Sequence, residues 1–87
     1  MSNTMRMQVL VRLREGVLDV QGKTIERSLA GDEATAHASN VRVGKLIELS
    51  VDAQNVEEAQ QKVSILCEKM LVNPVIESYE IKEAAAA

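Results

Sequence analysis

The chain has 87 residues, with ten basic and thirteen acidic side chains for a net charge of −3, and 46 % of its residues are hydrophobic with Tyr79 the single aromatic. That length holds one domain and not two cores, the charge has the wrong sign for a generic binder of nucleic-acid phosphates, and no apolar run approaches the roughly 20 residues of a membrane span. Cys67 is the sole cysteine, so an intrachain disulfide is excluded and, with no secretory h-region at the N-terminus, the cytoplasm is the expected location.

Residues 5–14 alternate Met5, Met7, Val9, Val11 and Leu13 with Arg6, Gln8, Leu10, Arg12 and Arg14, the period of a half-buried strand. Asp19 is placed to cap a helix over 20–30, with Ile25 and Leu29 one turn apart and Gly22 weakening its first turn. Residues 31–39 are small and polar, a mobile connector or frayed helix extension. Val41 and Val43, a break at Gly44-Lys45, then Ile47, Leu49 and Val51 predict a β-hairpin in which Gly44 supplies the unusual backbone angle.

Asn55 followed by Glu58 starts a second helix whose stripe is Val56, Ala59, Val63, Leu66, Cys67 and Met70. Asn73-Pro74 ends it, and a last strand runs from Val75 to Lys82. The order β-α-β-β-α-β predicts an α+β, ferredoxin-like two-layer sandwich, two helices on one face of a mostly antiparallel four-stranded sheet. One domain over residues 1–83 and a frayed tail over 84–87 follow. The open face of the sheet carries Arg6, Gln8, Leu10, Arg12, Arg42, Leu46 and Glu48. Residues 1–45 hold seven basic and five acidic side chains and residues 46–87 three and eight, an asymmetry able to steer partners.

So small a domain buries about 60 to 65 % of its unfolded surface, and without aromatics the core must be aliphatic residues and Met, so self-association would stabilise it. Reactive groups are sparse. Cys67 lies on the apolar stripe and reads as core, His37 as solvated, and no cluster has the ligands of a metal site. Asp32-Glu33 and Glu57-Glu58 read as turn and first-turn acids. The first and third strands lack the aromatics of an RNA-binding face.

The segment Val20-Gln21-Gly22 is similar to the phosphate loop of acylphosphatases. That family places an arginine four residues after the glycine, where this chain has Glu26, with Arg27 turned about 100° further around a helix. Asp19 would also put a negative charge at the mouth of such a site.

Taken in order, Val17-Leu18-Asp19-Val20-Gln21-Gly22, then Val41-Arg42-Val43-Gly44-Lys45-Leu46-Ile47-Glu48-Leu49, then Cys67-Glu68-Lys69-Met70-Leu71-Val72-Asn73-Pro74-Val75-Ile76-Glu77 with Tyr79 resemble the PurS family. This is the small subunit of phosphoribosylformylglycinamidine synthase. The resemblance implies a non-catalytic member of a carbon–nitrogen ligase complex of purine biosynthesis, which makes formylglycinamidine ribonucleotide from formylglycinamide ribonucleotide, glutamine and ATP.

It implies a homodimer or higher oligomer that bridges a glutaminase subunit and a synthetase subunit and assists ammonia transfer, with ATP and Mg held by the large partner and no cofactor here. Carried over by position, Gly22, Arg42, Gly44, Lys45, Asn73 and Pro74 are the candidates for shaping or making contacts. Turn geometry accounts for the glycines, Asn73 and Pro74 equally well. The connector is longer and richer in Ala than the family's, and Asp32 stands where the family has an aromatic. The rival readings are a regulatory domain holding a small effector at a dimer interface and an acylphosphatase-like hydrolase.

Overall fold

The computed structural model describes residues 3–84. Its elements are strand β1 (Thr4–Leu13), helix α1 (Val20–Ala30), strand β2 (Lys45–Asp52), helix α2 (Val56–Leu66) continuing into a π-helical turn (Cys67–Leu71), and strand β3 (Glu77–Glu83). β1 lies between β2 and β3 and is antiparallel to both.

The alternation of β1 sets the core. Met7, Val9 and Val11 point to one face and are buried, and the register puts Val9 opposite Ile47 and Ile81, Met7 opposite Leu49, and Val11 opposite Tyr79. Across this face α2 lays Ala59, Val63 and the following Cys67, spaced four apart and all fully buried, as a helical period requires. Asn55 starts α2 by accepting the Glu58 amide at 2.8 Å. On the other face Arg6 meets Ser50 at 3.2 Å and Gln8 meets Glu48 at 3.4 Å, beside an apolar pair of Leu10 and half-exposed Leu46.

The sheet has three strands, not the four expected. Residues 41–44 do not fold back as a hairpin, because Gly44 does not take a left-handed angle; among the described glycines Gly16 alone does, at φ 87°. Gly44 is needed for closeness instead, since a Cβ there would lie 2.5 Å from the Val11 carbonyl oxygen. The chain therefore runs from the arm straight over the end of β1 into β2.

α1 does not lie on the sheet as the second helix of a sandwich: among the described residues no other helix or strand packs against it. It projects as an arm, leaving Leu18 71 % and Val20 67 % exposed. The molecule measures 56 × 31 × 14 Å with a radius of gyration of 16.8 Å, against about 12 Å for a compact chain of this length. The cause is local, because the segments on either side of α1 are tied to each other and not to the sheet, as detailed below.

The stripe of α2 fails at its end. Val72 donates to the Cys67 carbonyl at 3.1 Å across five residues, and this widened turn swings Met70 out to 84 % exposure. β3 begins at Glu77 and not at Val75, because Asn73 turns the chain, its side chain accepting the Val75 amide at 3.1 Å and its carbonyl the Glu77 amide at 2.8 Å. The connector is built from turns: Asp32 accepts the Ala34 amide at 2.8 Å and Thr35 donates to the Leu29 carbonyl at 2.7 Å. Ala84 is tied to Arg6 at 3.0 Å, and the remainder of the expected frayed tail, 85–87, lies outside the described residues.

The two methionines separate the core from the turn. Met7→Ala is expected to cost about 2–5 kcal/mol and Met70→Ala no more than about 0.5 kcal/mol, both measured by urea denaturation; equal losses would contradict the outward swing of Met70.

Candidate functional site

The six residues singled out by sequence all lie at one end of the sheet, where β1 ends and β2 and β3 begin. Lys45 reaches Glu77 at 3.6 Å, so the starts of β2 and β3 are joined across the end of β1. Arg14 donates its backbone amide to Ile76 at 2.8 Å and its Nε to the Pro74 carbonyl at 3.1 Å, which holds the Asn73-Pro74 loop against the same end. Arg42 gives Nη1 to the Val17 carbonyl at 3.1 Å and Nη2 to the Arg14 carbonyl at 3.2 Å. Its guanidinium is therefore engaged within the chain, as the Lys45 ammonium is with Glu77.

Asp19 is the one buried charged residue here, 5 % exposed. One carboxylate oxygen accepts the Gly22 amide at 2.8 Å, capping α1, and the other accepts the Val43 amide at 2.6 Å. These bonds, first to Val43 and then to Gly22, hold its carboxyl below the ordinary aspartate range against the opposing effect of burial, and the Arg42 charge helps. Glu26, one turn further along α1, accepts the Val41 amide at 3.0 Å. Gly22 makes room for the crossing, because a Cβ on it would stand 2.4 Å from the Val41 carbonyl oxygen. Sequence patterns mark Asp19 as a cap, but its bond to a residue 24 positions away has no local signature, and Glu26 and Arg14 give none at all.

Beside this joint an open groove of about 850 Å³ runs between the end of β1 and the chain entering β2, lined by Leu10, Arg12, Leu13, Arg42, Lys45 and Leu46 among others. A lining that mixes apolar side chains with three basic residues, Arg12, Arg42 and Lys45, and one acidic, Glu15, suits the docking of a protein surface.

Reactive groups do not converge on it. Burial, and secondarily the Glu68 charge, push the Cys67 thiol up, which keeps it protonated and poorly nucleophilic. Tyr79 spends its hydroxyl on Glu68 at 2.9 Å, and His37 is exposed in the turns beyond α1. The Gly22 amide that an acylphosphatase-like loop would offer to a phosphate is taken by Asp19. Among the described residues no three metal-ligating side chains come together.

One helix on a three-stranded antiparallel sheet, with the residues singled out by sequence gathered at one end, defines a small module of α+β class. The comparisons give that module a family. Residues 6–85 match the PurS family model, described as phosphoribosylformylglycinamidine (FGAM) synthase. The PurS subunit of phosphoribosylformylglycinamidine synthase from Thermotoga maritima is 45 % identical over 73 residues, 84 % of this chain and 88 % of that one. The crystal structure of a PurS subunit from that organism superposes with a TM-score of 0.87 at 39 % identity, covering 97 % of this chain and 95 % of the other. A chain of the PurLQS structure, also from Thermotoga maritima, gives 0.85 at 40 % identity over 94 % and 99 %. This chain belongs to the PurS family.

Because the carboxyl of Asp19 titrates lower in the folded chain than in the unfolded one, its contribution is complete above the ordinary value of about 3.9 and disappears as pH falls through the depressed one. The Gly22 and Val43 amide resonances are expected to titrate together with a midpoint below about 3.9 in an NMR pH series. A midpoint above that value, or two separate midpoints, would contradict the shared carboxylate.

Proposed function

We propose that the chain is the non-catalytic small subunit of phosphoribosylformylglycinamidine synthase, joining a glutaminase subunit to a synthetase subunit and assisting ammonia transfer in purine biosynthesis. Catalysis, with ATP and Mg, belongs in this reading to the larger chains, and the setting is the cytoplasm. Among the described residues no helix is long and apolar enough to cross a membrane. The observation that carries the reading is the gathering of Gly22, Arg42, Gly44, Lys45, Asn73 and Pro74 at one end of the sheet in a PurS-family chain. The likeness to a chain of PurLQS supports a place in a multi-subunit assembly.

Self-association is part of the same reading, as a homodimer or higher. The chain exposes 6372 Å², whereas a compact monomer of its mass exposes about 5,000 Å². The excess exceeds the roughly 800 Å² that one partner gives to a standard interface. We take residues 1–83 as one domain whose ferredoxin-like layer, short of one strand and one helix, is completed by a second copy.

Sedimentation of the purified chain is expected to give a dimer or larger species, and mixing with the synthetase and glutaminase chains, glutamine and ADP a single faster boundary containing all three. A monomer that sediments apart from both larger chains would overturn the reading.

A further inference from the structure

Two chain segments, 14–19 and 40–44, form the legs that carry α1 away from the sheet, and Asp19 stands where they cross. A helix cap needs one acceptor oxygen, and Asp, Asn and Ser serve almost equally well. Asp19 does more than cap, because its second oxygen takes the Val43 amide of the opposite leg at 2.6 Å in a site shielded from water. The tie from Glu26 of α1 to Val41 is partly buried, as is the Asp19–Val43 bond, and those from Arg42 to Val17 and Arg14 are exposed to competing water; among these side chains Asp19 alone spends one carboxylate on amides from both sides of the crossing. Gly22 is also specific to the crossing, since its missing Cβ would lie 2.4 Å from the Val41 carbonyl oxygen and 2.7 Å from the second Asp19 oxygen.

We infer that Asp19 is a positioning residue that pins one leg of the α1 arm to the other, fixes the direction in which the arm leaves the sheet, and thereby presents the arm and groove for assembly. The consequence for assembly rests on the subunit reading above; the pin itself does not. No helix or strand packs on α1 among the described residues, so its angle rests on these ties at its base, in which Asp19 is the one buried side chain.

Asp19→Asn and Asp19→Ser separate a pin from a cap. Both keep an oxygen for Gly22, but asparagine turns an N–H₂ donor toward the Val43 amide donor, and the single serine oxygen leaves Val43 without its acceptor. Amide hydrogen exchange on the full chain is expected to quicken about tenfold in both variants over residues 20–30 and 41–43, and to stay within about twofold over β1 and α2. Unchanged exchange in the arm would reduce Asp19 to a cap, and a uniform rise would make it a general contributor to stability; either overturns the pin.

In sedimentation with the synthetase and glutaminase chains the variants should need about tenfold more of the small chain to reach the same bound fraction, a shift of about 1.4 kcal/mol. Equal affinity would remove the role in assembly. Failure of the unsubstituted chain to join the larger ones would count against the subunit reading, while the exchange comparison would still decide the pin.

Discussion

The structure depends on the pairing of β1 with a neighbour on each side. With no aromatic residue in the core, the inner face of that one strand provides Met7, Val9 and Val11, three of the largest fully buried side chains. The small residues opposite, Ala59 and Cys67, let α2 sit close over the sheet, and close packing of short side chains substitutes for the area that aromatic rings would otherwise bury. One helix covers this narrow apolar face. A second helix has no comparable surface to bury there, and α1 is held by polar groups at its base instead.

That division explains the placement of the surface features. Within the chain the body is β1, β2, β3 and α2, and the segment leaving α1 satisfies its amides with side chains: Asp19 of the entering leg takes the amide of Val43, and Glu26 of α1 that of Val41. The same end of the sheet carries the Lys45–Glu77 pair and the Arg14-bound Asn73-Pro74 loop. A chain of the PurS family thus offers a groove of mixed apolar and charged lining and a projecting helix, while its one thiol and one phenol are withdrawn into packing and hydrogen bonding.

Much of this was legible in the sequence because it is local. The alternation of Met5 to Leu13 located β1, Asp19 and Asn55 marked the helix starts, and Asn73-Pro74 follows shortly after the π turn that continues α2 ends at Leu71. Three features were not legible, each for a physical reason. Gly44 looks the same whether a glycine is required for a left-handed turn or for close approach to a carbonyl, and the structure uses the second, which removes the hairpin and the fourth strand. Met70 fits a helical stripe until a π turn adds a residue to the ring. The position of α1 depends on bonds between residues 15 to 28 apart, which no periodicity encodes. For the site, the residues carried over by family position lie together at one end of the sheet, whereas the bonds from Arg42 to the Val17 and Arg14 carbonyls and from Val43 to Asp19 join residues distant in sequence and left no local pattern to read.

The central claim is that this chain acts by being present in the assembly and not by turning anything over. The most direct measurement is the glutamine-dependent rate of the synthetase and glutaminase mixture as the small chain is titrated in. The account predicts no rate from the small chain alone and a rise that saturates at a fixed molar ratio to the larger chains. A full rate without it, or a full rate at trace, catalytic amounts of it, would contradict the account.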